Sequence, residues 1–333
     1  MTGQASSLVL LAASGFFQAA FAVPIRHFRQ WRWEQAWVGQ SAVANALFPL
    51  VWAALMPAPF WSRAAHLPWS HWLSSYAWGL LWGLGGVAWG LTLARLGIAF
   101  SNSFIFGVST VAGALLPLLA GWVEPPARPA WFAVGLIVCV AGTVTIGFLR
   151  RRGTQEPLLP MPLRFQSYTA ISAVALFAGF ATAGYGLAFS FAFPAMRSLI
   201  ASGVAERSIA LVVVLPAYLG GATVAIPIGL VVAARSGTLP LFFGKHAVWN
   251  WSMVLVMGIC AAATALLYGL GASIAGHPSP NVSFAVFISF LVLGGTLLGL
   301  AGGEMRGCAR RVRAGMVLSA CALVVGACLL NTR

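Results

Sequence analysis

The chain is dominated by long, continuous runs of apolar residues that are separated by short polar connections. A helix crosses a bilayer core with about 20 consecutive apolar residues, and ten runs in the 333-residue chain reach roughly this length. Polar residues do not alternate with apolar ones inside the runs, so we predict membrane-spanning helices rather than strands. The predicted spans are residues 7–25, 35–57, 73–96, 99–122, 130–149, 168–193, 208–234, 250–273, 282–303 and 314–331.

The longest polar connection divides the ten spans into two groups of five. Because five is odd, a second half with the same fold must sit upside down relative to the first, an arrangement common in transporters. We therefore expect an all-α integral membrane protein built as a five-plus-five inverted repeat. Residues 1–149 form the first repeat, residues 150–167 a linker and residues 168–333 the second, inverted repeat.

The basic residues predict how the spans are oriented. Of the 19 Lys and Arg residues, 14 lie in the connections that follow spans one, three, five, seven and nine, with Arg95 at the end of span three counted among them. Positively charged connections stay on the cytoplasmic side. We therefore expect a cytoplasmic linker and two periplasmic termini.

Composition narrows the chemistry that the chain can perform. Hydrophobic residues make up 60% of the chain and charged residues 7%, against about 25% charged in a soluble domain. The net charge of +14 lies between the spans, so we attribute it to orientation and expect no nucleic-acid partner. The five acidic residues are all Glu and lie at or beyond the predicted span ends. With no Asp and no catalytic constellation at membrane depth, we expect no enzyme, metal or cofactor.

Neutral polar residues within the spans are the candidates for ligand binding. Buried polar groups need partners, which either neighbouring helices or an interior cavity can supply. Amides and hydroxyls both donate and accept, so together they suit a ligand rich in hydroxyl groups. The predicted substrate-binding residues are Gln18, Asn45, Trp82, Trp89, Asn102, Ser103, Tyr185, Tyr218 and Tyr268.

The third predicted span carries tryptophans and glycines in a regular pattern. Trp78, Trp82 and Trp89 share one helical face, which is either a packing surface or an aromatic wall against the carbon face of a sugar ring. Gly83, Gly86 and Gly90 are small enough to let another helix approach closely.

Two segments of the chain resemble the L-rhamnose–proton symporter family of the drug/metabolite transporter superfamily. Ala19–Trp37 contains a small-residue–Pro turn, a basic cluster and Trp-X-Trp-Glu, and Trp82–Ala99 contains Trp-Gly-X-Gly, aromatic-Gly-Leu-Thr and Arg-X-Leu-Gly. Weaker similarity continues around Leu215–Gly221, Tyr268–Gly271 and Leu293–Arg311, so the resemblance spans most of the chain but is strong only in its first half. The resemblance implies ten helices in a five-plus-five inverted repeat and alternating access. It also implies proton-driven uptake of L-rhamnose or a related sugar across a bacterial inner membrane.

The resemblance also bears on proton coupling. Glu34 is the acid of the first motif and begins the second span beside tryptophans typical of a membrane interface, and Glu304 matches an acidic position after the ninth span. We take both as candidates for proton coupling. Family members carry an acid near the start of the ninth span, whereas residues 280–284 here contain none. An exporter or a proton-independent carrier of another small metabolite is therefore the alternative.

Overall fold

The computed structural model describes residues 3–119, 128–151, 158–159, 167–274, 280–304, 306 and 308–330. Across these residues the chain forms helices and connections, with no strand. A π-helical segment, Ser41–Leu47, joins α2 to α3, and 3-10 helices cover Val23–His27 and Leu239–Phe243. The α-helices are α1 (Gly3–Ala20), α2 (Trp33–Gln40), α3 (Phe48–Ala54), α4 (Ala58–Ala64), α5 (Trp69–Leu96), α6 (Ile98–Leu119), α7 (Pro129–Arg151), α8 (Tyr168–Ala201), α9 (Glu206–Ile209), α10 (Leu211–Arg235), α11 (Ala247–Ile274), α12 (Pro280–Ala301) and α13 (Arg310–Leu330).

Nine helices in the described part of the chain are long and apolar enough to cross a membrane. They correspond to nine of the ten predicted spans. The remaining prediction, residues 35–57, corresponds to α2, the π-helical segment and α3, which together cover Trp33–Ala54 before the chain bends by 109° into α4. Counted as one broken span, this unit brings the total to ten. The fold is that of a multi-pass helical membrane protein.

The outer surface carries apolar side chains that a water-soluble protein would bury. Leu119 is 78% exposed and Val248 is 87% exposed, and further large apolar side chains project from most of the long helices. Exposing such side chains to water costs about 25 cal/mol per Å², whereas hydrocarbon solvates them. Lipid is therefore the solvent that this surface fits.

Two helix boundaries test the sequence prediction. The break between spans three and four is confirmed, since α5 ends at Leu96, α6 begins at Ile98, and Gly97 between them has φ +83°, a value that favours glycine. The predicted end of span six at residue 193 is wrong, because α8 continues through Pro194 to Ala201. Proline is tolerated inside membrane helices, where neighbouring groups satisfy the freed backbone carbonyl.

Small residues bring α5 and α10 into close contact. A Cβ at Gly83 would lie 2.7 Å from the Cα of Gly221, so no side chain fits there. The prediction that glycines of this span admit a neighbouring helix is confirmed at Gly83. It is wrong at Gly86, where a Cβ would meet no atom within 4 Å, because Gly86 faces a cavity instead of a helix.

Several major helix contacts have counterparts when each span of the first half is matched to the span five positions later. In the first half the spans are α1, α2–α3, α5, α6 and α7, and in the second half they are α8, α10, α11, α12 and α13. The α5–α8 contact has its counterpart in α11–α1, and the α6–α8 contact in α12–α1. The α6–α12 and α7–α13 contacts each join a helix to its own counterpart. These contacts of the first half thus have counterparts in the second, whereas the extensive α5–α10 contact has only a smaller counterpart between α11 and α2 with the π-helical segment.

At one end of the molecule, hydrogen bonds join the connection after α1 to the connection before α11 and to the first turn of α11. The side chain of Asn250 accepts a hydrogen bond from the backbone N–H of Arg29 and donates one to its carbonyl oxygen, both at 2.9 Å. The indole N–H of Trp31 donates to the carbonyl oxygen of Leu241 at 2.9 Å. The guanidinium of Arg29 lies 4.7 Å from the ring centroid of Trp249, a cation–π contact. We call this region, residues 21–34 together with residues 238–251, the closed end.

Candidate functional site

A cavity lies near the middle of the long helices and is lined by both halves of the chain. Its walls come from α1, α2, the π-helical segment, α5 and α6 of the first half and from α8, α10, α11 and α12 of the second. About 60 Å³ is open to the centres of water-sized molecules, which is room for about four to six waters at ~10–15 Å³ each.

Six of the nine residues that the sequence predicts for substrate binding line this cavity. They come from five different segments of the chain, so the fold brings together positions that lie far apart in sequence. The six are Gln18, Asn45, Trp82, Trp89, Tyr185 and Tyr218.

The other three predicted residues lie behind the cavity wall. Asn102 accepts a hydrogen bond from the indole N–H of Trp89 at 3.1 Å, so it orients that ring. Ser103 is hydrogen-bonded to Thr296 at 2.9 Å, which links α6 to α12. Tyr268 packs in a group of aromatic rings, with its ring centroid 5.0 Å from that of Phe189. All three are buried.

Aromatic rings form much of the cavity wall. The ring of Trp82 lies 4.9 Å from that of Tyr218 and 5.5 Å from that of Tyr185, measured between centroids. The ring of Trp89 is held between Phe21, which stacks on it at 5.6 Å, and Trp37, which meets it edge-on at 5.9 Å. Two of the three tryptophans of the predicted aromatic face thus line the cavity, whereas Trp78 stacks on Phe191 with the ring centroids 5.6 Å apart.

The sequence reasoning missed other lining residues. Trp37 is one of the tryptophans beside Glu34 that the sequence predicts for the membrane interface, yet its ring lines the cavity. Gln40, Thr182 and Thr264 also line it. Gln40 carries the same signal as Gln18, an amide within a predicted span, and could have been found in the same way. The two threonines satisfy themselves locally, each donating to a backbone carbonyl four residues earlier in its helix.

Several polar groups of the cavity have no hydrogen-bond partner among the residues that the structure describes. The side-chain amides of Gln18 and Asn45 make no hydrogen bond to any residue that the structure describes. The indole N–H of Trp37 is buried and likewise has no partner in that part of the chain. Leaving a buried group such as this indole N–H unpaired costs about 1–3 kcal/mol, whereas the two amides border the open space of the cavity. These groups are therefore suited to receive a polar ligand.

Glu304 lies at the end of α12 and is satisfied from several directions. Its carboxylate accepts hydrogen bonds from the backbone N–H groups of Ile98 and Ala99, at 2.7 and 2.8 Å. These are the first residues of α6, where the helix dipole favours an anion. The guanidinium of Arg26 forms a salt bridge to the same carboxylate. Glu304 thus ties α6 and α12 to the closed end.

Glu34 is also buried, but its two oxygens differ. It lies in the first turn of α2, with no solvent exposure. Its Oε1 accepts a hydrogen bond from the hydroxyl of Thr238 at 2.9 Å and lies 3.5 Å from the Nε of Arg32. Its Oε2 is buried and has no hydrogen-bond partner among the described residues. Trp37, one turn further along α2, separates Glu34 from the cavity.

A multi-pass helical fold around a central cavity lined by aromatic rings and unpaired amides defines a class, the membrane transporters for small polar solutes. Residues 7–332 match the family model of the L-rhamnose-proton symport protein, and the chain belongs to that family. Its relatives include the L-rhamnose-proton symporters of Salmonella paratyphi B and Salmonella newport, each 24% identical over 321 residues that cover 93% of this chain and 92% of the relative. The Salmonella gallinarum symporter is 24% identical over 325 residues.

Proposed function

We propose that this protein carries L-rhamnose or a related sugar together with a proton by alternating access, with the central cavity as the sugar site. The observation that carries the proposal is the group of unpaired amide and indole groups in that cavity, in a chain of the L-rhamnose-proton symport family. Each relative named above is itself a symporter by name. We infer uptake across a bacterial inner membrane.

The chemistry of the cavity suits a deoxy-sugar. A sugar ring presents hydroxyl groups at its edge and C–H groups on its faces. Gln18 and Asn45 both donate and accept hydrogen bonds, and their amides are free to do so toward a ligand. Trp82 and Trp89 offer flat apolar surfaces to the ring faces. Phe284 and Phe287 complete an apolar wall against which a methyl group in place of a hydroxyl would pack without loss.

We assign the proton to Glu34 in preference to Glu304. Both carboxylates are buried, but only Glu34 has an oxygen without a partner, and a buried charge that is incompletely paired is costly. Protonation removes this charge. The carboxylate of Glu304, by contrast, is held by a guanidinium and two backbone N–H groups, so both of its oxygens already have partners.

The exchange of helix contacts between the halves supports the five-plus-five inverted repeat, with residues 1–149 and 168–333 as its two units. In such repeats one unit rocks against the other around a fixed site. The closed end brings together connections that follow spans one and seven, which are basic. We therefore infer that it faces the cytoplasm and that both termini are periplasmic.

The alternative is a proton-independent carrier or an exporter of another small metabolite. The observation that favours it lies in residues 280–284, where no acid is present. Ser283 of this stretch is buried, and its hydroxyl has no hydrogen-bond partner in the described residues. A hydroxyl at this place can bind a ligand but cannot carry a proton at neutral pH.

Uptake by reconstituted vesicles tests the proposal. We expect labelled L-rhamnose to enter faster when the outside is acidic, and the external medium to become more alkaline as the unlabelled sugar enters. Uptake that ignores the pH gradient would favour the proton-independent alternative. Absence of L-rhamnose uptake under either condition would remove the proposed substrate.

A further inference from the structure

A second recess lies on the outer surface, where α12 ends and α13 begins. It holds about 420 Å³ of open space and is lined by Leu300, Arg306, Arg310, Arg313, Ala314 and Val317. The two helices end and begin candidate membrane spans here, at Ala301 and Arg310. The recess therefore lies at a boundary between membrane and water, well away from the residues that line the central cavity.

Three guanidinium groups face this recess without a carboxylate to balance them. None of Arg306, Arg310 and Arg313 forms a salt bridge in the described part of the chain. The nearest acid in sequence is Glu304, but its oxygens are already bound by Arg26 and by the start of α6. The charges of the recess are therefore left for an external anion.

The connection between α12 and α13 passes close to the side chain of Arg306. Gly303 has φ +81°, and a Cβ at this position would lie 2.7 Å from the Nε of Arg306. The absence of a side chain at Gly303 thus lets Arg306 fold back along the connection toward the recess. Arg310 and Arg313 lie three residues apart, so they project from the same face of α13.

The remaining walls of the recess are apolar. Leu300 and Val317 flank the arginines on the membrane side. A ligand that fills this space needs an anionic group for the arginines and a hydrocarbon part for the apolar wall. Arginine binds phosphate oxygens in a bidentate manner, and basic pockets between membrane helices bind anionic headgroups.

We infer that this recess binds one anionic phospholipid, with its phosphate on Arg306, Arg310 and Arg313 and its acyl chain along Leu300 and Val317. The occupant is a lipid rather than free phosphate because half of the site is apolar and opens at the membrane boundary. Because α12 contributes to the central cavity and packs against α13, the lipid would brace a helix of the transport site.

Lipid titration of the purified full-length protein in a neutral detergent tests this inference. Phosphatidylglycerol and phosphatidylcholine with identical acyl chains are added, and bound lipids are counted by native mass spectrometry. The test variant is Arg310→Gln with Arg313→Gln. The matched control is Arg311→Gln with Arg235→Gln, which removes the same charge from exposed positions outside the recess.

We expect one phosphatidylglycerol to bind in preference to phosphatidylcholine. Each lost arginine should weaken binding by about fivefold, so the test variant should lose about 25-fold, whereas the control should change less than about threefold. Equal weakening by the two double variants, or equal binding of both lipids, would overturn the inference. If inorganic phosphate at the same concentration displaces the phosphatidylglycerol, the recess is a free-anion site and not a lipid site. Arg306→Gln alone gives the same test if the double variant does not accumulate.

Discussion

The closed end and the central cavity differ in whether certain polar groups have hydrogen-bond partners among the described residues. At the closed end, the amide of Asn250 and the indole of Trp31 each have a hydrogen-bond partner within the protein. In the cavity, the amides of Gln18 and Asn45 and the indole N–H of Trp37 have none among the described residues. The paired groups hold the two segments of the closed end together, whereas the unpaired groups of the cavity border open space that a ligand can enter. The contrast is not complete, because the buried indole N–H of Trp33 at the closed end also has no partner among the described residues.

Glu34 lies between these two cases. It belongs to the closed end by position, yet one of its oxygens has no described partner, as in the cavity. The comparison with Glu304, which is satisfied on both oxygens, separates a carboxylate that supports structure from one that is available to bind a proton.

Glu304→Ala should cause the largest loss of stability. It leaves the guanidinium of Arg26 and the first N–H groups of α6 without their acceptor, and removing one member of a buried pair costs about 3–5 kcal/mol. Chemical unfolding in detergent, monitored by tryptophan fluorescence, measures this. A loss below about 1 kcal/mol would show that Glu304 does not hold the closed end together.

Asn250→Leu should destabilise by about 1–3 kcal/mol. The side chain is fully buried and pairs with both backbone groups of Arg29, which the variant leaves unsatisfied. The same unfolding experiment measures the change. Wild-type stability in this variant would contradict the view that hydrogen bonds between the two connections seal this end.

Glu34→Gln should change stability by no more than about 1 kcal/mol, because Gln retains an oxygen that can accept from Thr238. It cannot take up a proton. We expect vesicles containing this variant to exchange labelled for unlabelled L-rhamnose but not to accumulate it in response to a pH gradient. Glu34→Asp is the control that keeps the titratable group. Undiminished proton-driven accumulation in Glu34→Gln would show that the proton binds elsewhere.

Asn45→Leu should have the smallest effect on stability, under about 0.5 kcal/mol, because it breaks no described hydrogen bond within the protein. It removes a donor and an acceptor from the cavity, so the affinity for sugar should fall about tenfold or more. Binding of labelled L-rhamnose to the purified variant measures this. Unchanged affinity would place the sugar away from this part of the cavity.

Much of the fold follows from apolar run length, because lipid imposes a minimum length and an intact backbone ladder on every span. The break at Gly97 was predictable for that reason. The π-helical segment Ser41–Leu47 and the passage of α8 through Pro194 were not, since both depend on neighbouring helices. The length of an apolar run carries no information about such contacts.

The candidate site was predictable only in part. Polar residues within spans are conspicuous, and six of the nine chosen positions line the cavity. The pattern does not distinguish a residue that faces the cavity, such as Asn45, from one that pairs behind it, such as Ser103. It also suggested no burial for Glu34 and Glu304, because a carboxylate at a span end is usually solvated. Their burial results from connections that fold back over the helix ends.

The proposed function depends most directly on the central cavity being the sugar-binding site. Gly86 lines this cavity, and a Cβ there would meet nothing within 4 Å, so Gly86→Leu should fold normally and fill the space. A ligand at about 100 times its Kd raises the free energy of unfolding by about 2.7 kcal/mol. We predict that saturating L-rhamnose stabilises the wild-type protein on this scale and leaves Gly86→Leu unchanged. Equal stabilisation of both proteins, or none of the wild type, would contradict the account.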